Sequence, residues 1–305
     1  METVLQLGTG WSPETYSSDD LHYEHDAIYS GLSERGVHDF IEGRKALPVS
    51  ADLRQWAPPV HFQGGYNTCA AHVVACLLEY FENKAFGTYT PASRLFLYKV
   101  AKNYLQEEGN TGIYIRQAMG VLKSIGVPPS KYWPYVEAGS FTKPLSDDPR
   151  IDEEPSSFCY AVAKDFEAIS YYRLDDVRKD QDDSLLKRAK AHLASELPFA
   201  FGFPLYGSIK SSVKTGEILF PSPDEKTVGN HAVVAMGYDD KKSIGGENGH
   251  PETTGAILVH NSWSEKWGDG GYGWIPYRYI VDGLTADFWT LTQARWQDLH
   301  SAQLL

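Results

Sequence analysis

The feature that most constrains this chain is a change in hydrophobic period partway along it. Apolar residues recur at helical spacing in CAAHVVACLLEYF from Cys69, PASRLFLYKVAKNYL, IYIRQAMGVLKSIG and SLLKRAKAHLASEL, and the first three of these precede residue 130. Beyond Pro198 the pattern becomes short apolar runs, FAFGF, HAVVAMGY, AILVHNSW and GYGWIPY, separated by turn-rich pieces such as DDKKSIGGENGHPETTG. Helices first and strands later predict an α+β fold, with a helical lobe over about 45–136 and an antiparallel β lobe over about 137–305. The Asp-, Glu-, Pro- and Ser-rich stretch from about 137 to 183 carries the chain between lobes. Residues 1–44 show no sustained helical or strand period and read as an N-terminal extension.

Composition narrows the function classes. The 305 residues, 42% hydrophobic and 13% aromatic, suffice for a full core. A formal charge of −12 without a Lys/Arg run argues against nucleic acid. The apolar runs fall well short of the roughly 20 residues that cross a bilayer, so no membrane span is expected. METVLQLGTGWSPETYSSDD lacks the basic start and apolar core of a secretory signal, which leaves the compartment open between the cytoplasm and export by another route. Cys69, Cys76 and Cys159 are too few for a disulfide scaffold. No metal or cofactor motif is present, and His22 and His25 in LHYEHD read as a solvated loop.

Chemistry concentrates around Cys69. Pro58, Pro59, Gly64 and Gly65 forbid regular structure ahead of it, so a helix is predicted to begin there, with Thr68 as its cap. A thiol in the first turn of a helix feels the positive end of the dipole, which favours thiolate. A lone cysteine at such a place is more often a small buried residue. Gln63, in the Gly-rich loop six residues earlier, supplies a side-chain amide that can face the same carbonyl oxygen as the Cys69 backbone amide.

Three blocks then carry a resemblance. QGGYNTCAAHVVACLLEY resembles the Gln-to-Cys segment of the papain-like cysteine peptidases (family C1), NHAVVAMGY resembles their His strand, and NSWSEKWGDGGYGWIPY is similar to their Asn-Ser-Trp, Trp-Gly, Gly-Tyr signature. The blocks stand in family order and the resemblance spans roughly 45–290.

The resemblance implies a two-lobed fold, a helical lobe and an antiparallel, β-barrel-like lobe with the active-site cleft between them, and a cysteine endopeptidase acting on protein or peptide substrates through a Cys thiolate–His imidazolium pair and an acyl-enzyme thioester, without cofactor or metal. Cys69 is the implied nucleophile, His231 the base and then acid, Asn261 the residue that orients His231, and Gln63 the oxyanion donor. Trp263 would shield the Asn261 to His231 hydrogen bond and border the substrate. Gly112, in GNTGIYIRQAMGVLKSIGV, is the candidate for hydrogen bonding along an extended substrate; a helix-capping turn is the competing reading. Ala232 and Phe201 are expected at the pocket for the second residue upstream of the cut. Acyl transfer to an amine, or an inactive scaffold of the same fold that only binds, are the alternatives. The chain departs from the family in three places: Ala70 replaces the usual aromatic after the nucleophile, the Cys-x-x-Cys spacing is missing, and the Cys69 to His231 interval exceeds the usual span of about 130 to 150 residues. The extension resembles bacterial members that lack the long helical prosegment, and is expected to lie over or near the cleft or to be an ordinary surface arm.

Overall fold

A computed structural model describes residues 8–166, 170–176, 183–246 and 249–291. The first seven residues of the extension and residues 292–305 of the predicted β lobe lie outside the described residues.

The helix predicted at Cys69 is α3 (Cys69–Phe86), the central element, closed by Gly87 in the left-handed region. The expected stripe of Val73, Cys76, Leu77 and Tyr80 is buried, but so is every residue from Cys69 to Glu82. The reason is packing on two sides. Helices α4 (Arg94–Leu105) and α5 (Ile115–Ser124) cover one side of α3, and the sheet covers the other. Ser93 starts α4 by accepting from the Phe96 amide at 3.1 Å. Thr68 makes no such cap on α3; its hydroxyl pairs with Tyr135 Oη at 2.6 Å.

The strands β1 (Ser50–Asp52), β4 (Tyr171–Arg173), β5 (Phe199–Tyr206), β6 (Thr227–Ile244), β7 (Thr253–His260), β8 (Tyr272–Pro276) and β9 (Ala286–Leu291) form one antiparallel sheet. Its order is β4-β9-β5-β6-β7-β8, with β1 paired to β6, and these pairings leave it an open sheet rather than a closed barrel. The linking region contributes a small hairpin of β2 (Gly139–Ser140) and β3 (Lys143–Pro144) and the helix α6 (Ser157–Ala163), ahead of β4. The fourth predicted helix is α7 (Ser184–Ala194).

The extension is more ordered than its sequence period suggests. It holds two short helices, α1 (Asp26–Glu34) and α2 (Val37–Ile41), which bury Ile28, Leu32, Val37 and Phe40, with α2 against α7. Ahead of them the chain runs extended into the cleft between the helices and the sheet.

Candidate active site

Two elements of the sheet and one helix terminus meet at the cleft. Cys69 is the first residue of α3, His231 lies near the start of β6, and Asn261 directly follows β7. The β6 and β7 register pairs Val234 with His260, which brings residue 231 and residue 261 onto neighbouring ends of the two strands. His231 Nε2 donates to Asn261 Oδ1 at 2.8 Å, and the same oxygen accepts the Ser262 amide at 2.7 Å, which fixes the carboxamide's orientation. The other ring nitrogen, Nδ1, is buried without a hydrogen-bond partner. Trp263 stacks on the imidazole with centroids 4.3 Å apart. The backbone amides of Ala232, Ala70, Trp11 and Cys69 itself favour the thiolate of Cys69. Gln63 Oε1 accepts from Ser262 Oγ, which ties the donor loop to the Asn261 segment.

The extension passes directly over this site. Gly8 donates to Gly64 O at 3.0 Å while its own carbonyl accepts from Trp263 Nε1 at 3.0 Å. Gln63 Nε2 donates to the Thr9 carbonyl at 3.2 Å and to Tyr66 O at 2.6 Å. Gly10 donates to Asn230 O at 3.2 Å and accepts from the Ile113 amide at 3.0 Å. With φ of 115° and a would-be Cβ only 2.1 Å from Asn67 O, position 10 admits only glycine. Gly112 answers it from the other wall: a Cβ there would sit 2.5 Å from Gly10 O. Gly112 thus serves close backbone approach and does not cap α5, which begins at Ile115 behind Tyr114.

Trp11 fills the neighbouring pocket. Its indole lies 2.0 Å from where a Gly202 Cβ would stand, and Gly202 pairs with Ala232, so both face it. Phe201 does not line this pocket. Strand alternation turns it to the opposite face, where it packs on Phe288 (5.2 Å) and Phe199 (6.0 Å). The wall was therefore one residue away from the expected one. At the pocket's far end Asp287 Oδ2 accepts from Trp11 Nε1 at 2.9 Å and from the Glu14 amide at 3.0 Å. The sequence offered no signal for Asp287, a single acid 26 residues after Asn261 whose place is set by the β9 pairing with β4 and β5.

With the arm seated, Gln63, Cys69 and His231 are each 0% exposed. Burial pushes the Cys69 thiol up to about 12, against the four backbone amides that lower it, and pulls His231 down to about 4, against the Asn261 hydrogen bond. Exclusion of water from both thus favours the neutral thiol and the neutral imidazole while the arm covers them.

The papain family cysteine protease model matches residues 47–281. The chain belongs to the papain family of cysteine proteases. Xylellain, a cysteine protease from Xylella fastidiosa, superposes with a TM-score of 0.73 at 27% identity, covering 95% of this chain and 97% of that one. An uncharacterised peptidase C1-like protein of Acanthamoeba polyphaga mimivirus is 29% identical over 239 residues, 76% of this chain and 68% of that protein. A procathepsin B from Trypanosoma congolense shares the fold at 18% identity, with a TM-score of 0.63 over 95% of this chain and 87% of that one. This papain-family chain is accordingly a cysteine-type peptidase of mixed α and β architecture.

Proposed function

We propose that this peptidase cleaves peptide bonds with Cys69 as nucleophile, His231 as base and then acid, Asn261 as its orienter, and the Gln63 carboxamide with the Cys69 backbone amide as oxyanion donors. The observation that carries the reading is the 2.8 Å bond from His231 Nε2 to Asn261 Oδ1. Because an oxygen accepts there, the proton of the neutral ring sits on Nε2 and the lone pair on Nδ1 is free to act as a base. Nδ1 takes the thiol proton as sulfur attacks the scissile carbonyl carbon. The tetrahedral oxyanion falls to the Gln63 and Cys69 donors. The carbon to nitrogen bond then breaks as His231 returns the proton to the leaving amine. Water, deprotonated by the same ring, hydrolyses the thioester.

The arm supports a second part of the reading, that residues 8–14 hold the enzyme closed. The Thr9 carbonyl occupies the Gln63 donor, Gly10 uses the backbone groups of Asn230 and Ile113, and Trp11 fills the side-chain pocket. That pocket suits a bulky residue with a donor at its tip, because Asp287 Oδ2 stands at its end.

The test uses the full chain and a form lacking residues 1–16. An epoxide thiol inhibitor should label Cys69 far faster in the shortened form, fluorogenic peptides should be hydrolysed by it, and Cys69→Ala should abolish both. Neither labelling nor turnover in the shortened form would leave the scaffold as a binding protein. Amide products accumulating when an amine is added would instead make the chain an acyl transferase.

A further inference from the structure

One hydroxyl joins the two groups that the catalytic reading assigns to the oxyanion. Tyr135 Oη donates to the main-chain oxygen of Gln63 at 3.1 Å and lies 2.6 Å from Thr68 Oγ1. A phenol has a single proton, so with that proton on Gln63 O the Thr68 hydroxyl donates to the phenol oxygen. One end of this bridge is the backbone that carries the Gln63 carboxamide. The other end is the residue whose peptide link to Cys69 carries the Cys69 amide. The two donors come from different stretches of chain, a loop and a helix start, and Tyr135 ties those stretches together.

Thr68 shows what the tie displaces. It holds the cap position of α3, and threonine caps helices well, yet its side chain makes no cap bond. The hydroxyl is given to Tyr135 instead. A cap given up where both position and residue type favour it marks a competing demand at that site.

Gln63 itself is held from two sides. On the sheet side its amide donates to Ser262 O at 2.9 Å and its Oε1 accepts from Ser262 Oγ. On the helical side the anchor is Tyr135. Trp133 O, two residues earlier, accepts from Ser93 Oγ at 2.6 Å, and Ser93 is the cap of α4, so the segment is fixed to that helix. The Tyr135 ring stands edge-on to Tyr66 at 6.2 Å and to His72 at 5.1 Å, which sets the direction of its hydroxyl. Further along the same segment, Leu145 O accepts the Gly65 amide at 2.8 Å and Glu137 O accepts from Tyr66 Oη at 3.3 Å. The loop of the carboxamide is thus registered against helices and sheet alike, with Tyr135 where that registration reaches the start of α3. Oxyanion donors act only when they converge on one point, about 2.7–3.1 Å from the oxygen that becomes charged. A bridge that fixes the gap between their two backbones therefore bears on the transition state more than on substrate binding.

We propose that Tyr135 is a positioning residue for peptide-bond cleavage, its hydroxyl setting the separation of the Gln63 carboxamide and the Cys69 backbone amide. This rests on the catalytic reading above. The test uses full-length protein carrying Trp11→Ala, and reads peptide turnover beside alkylation of Cys69 by iodoacetamide, a displacement that forms no oxyanion. Tyr135→Phe keeps the ring and removes the bridge. It should lower kcat by about tenfold, less than the roughly hundredfold expected for outright loss of one donor, with KM and the alkylation rate unchanged. In a Gln63→Ala background the same change should lower kcat by less than about twofold, because its effect passes through that side chain. Thr68→Val breaks the bridge from its other end and should reproduce the loss, while Thr68→Ser, which keeps the hydroxyl, should not; this pair decides if Tyr135→Phe does not fold. Unchanged kcat in Tyr135→Phe, an equal loss with and without Gln63, or a parallel fall in alkylation would overturn the positioning role. Cys69→Ala in the same background separates the two readings. Turnover that survives it removes the catalytic assignment and this proposal together, whereas turnover lost there but retained in Tyr135→Phe removes this proposal alone.

Discussion

The carboxamide of Gln63 donates to the carbonyl of Thr9 at 3.2 Å, so the side chain proposed as oxyanion donor already holds a carbonyl of the protein's own arm. Everything else in the cleft follows that bond. The arm's backbone runs between Asn230 and Ile113, and its one large side chain, Trp11, is buried at 5% exposure. A peptide substrate would need the same donors and the same pocket.

Replacing the anchor should therefore open the enzyme. Trp11→Ala removes the indole from its pocket and its bond to Asp287. Burial of a Trp is worth roughly 3–5 kcal/mol, enough to raise peptide turnover by tenfold or more where the closed state dominates. Initial rates on a fluorogenic peptide, with active sites counted by epoxide titration, check this. Rates equal to wild type would show that the arm does not limit access.

The tether has a pH sign of its own. Glu14 and Asp20 from the arm meet Arg116, Arg173, Asp175 and Asp287 of the body: Arg116 Nε lies 2.8 Å from Glu14 and 3.1 Å from Asp20, and Arg173 lies 3.2 Å from Asp20 and 2.7 Å from Asp175. Four acids thus share two guanidinium groups. Burial, and then the Asp287 charge, push the Glu14 carboxyl up to about 8; burial, and then Asp175, push Asp287 up to about 6. A docked-state pKa above the free value means that docking takes up protons. The arm is then held most firmly at acid pH and loosens as pH rises through about 6 to 8. The rate advantage of Trp11→Ala over wild type should shrink across that window. Glu14→Gln, neutral throughout, should flatten the part of the trend above neutrality.

Much of this was legible from residue order. The helices at 69, 94 and 115 and the four core strands follow from apolar period, and the proposed set of Gln63, Cys69, His231 and Asn261 rests on the three motif blocks that resemble the family. What escaped has physical causes. Strand β6 continues past Asp239 through Lys241 and Lys242, which lie in a register shift, to Ser243, which pairs with Thr254, and these polar residues carry no apolar signal. The arm's docking depends on glycines at 8 and 10, whose role is an absence of side chain, and on one Trp. Phe201 and Gly202 differ by one position in a run apolar throughout, and period alone does not say which faces the cleft. Asp287 and Arg173 meet only through sheet pairing of segments more than a hundred residues apart.

Loss of the proposed oxyanion donor should be measured in the form lacking residues 1–16, because Gln63 also holds the arm. There Gln63→Ala should lower kcat by on the order of a hundredfold with little change in KM, since the donor's bond strengthens as charge develops on the oxygen. Gln63→Glu should be as poor, having an acceptor in place of the amide. An equal loss confined to KM would make Gln63 a ground-state binding residue instead.

The buried pair on α3 and α4 gives a stability test. Glu79 is 0% exposed and Arg94 5%, and two bonds join them, at 3.1 and 2.7 Å. Glu79→Ala strands the guanidinium among His61, His72 and His260 and also frees the Ala92 amide, so it should cost about 3–5 kcal/mol in urea unfolding. Removing both charges with similar volume, Glu79→Leu with Arg94→Met, should recover much of that loss, because the desolvation of the pair disappears with its attraction. A double variant as unstable as Glu79→Ala would show that packing volume, rather than the stranded charge, sets the cost at this position.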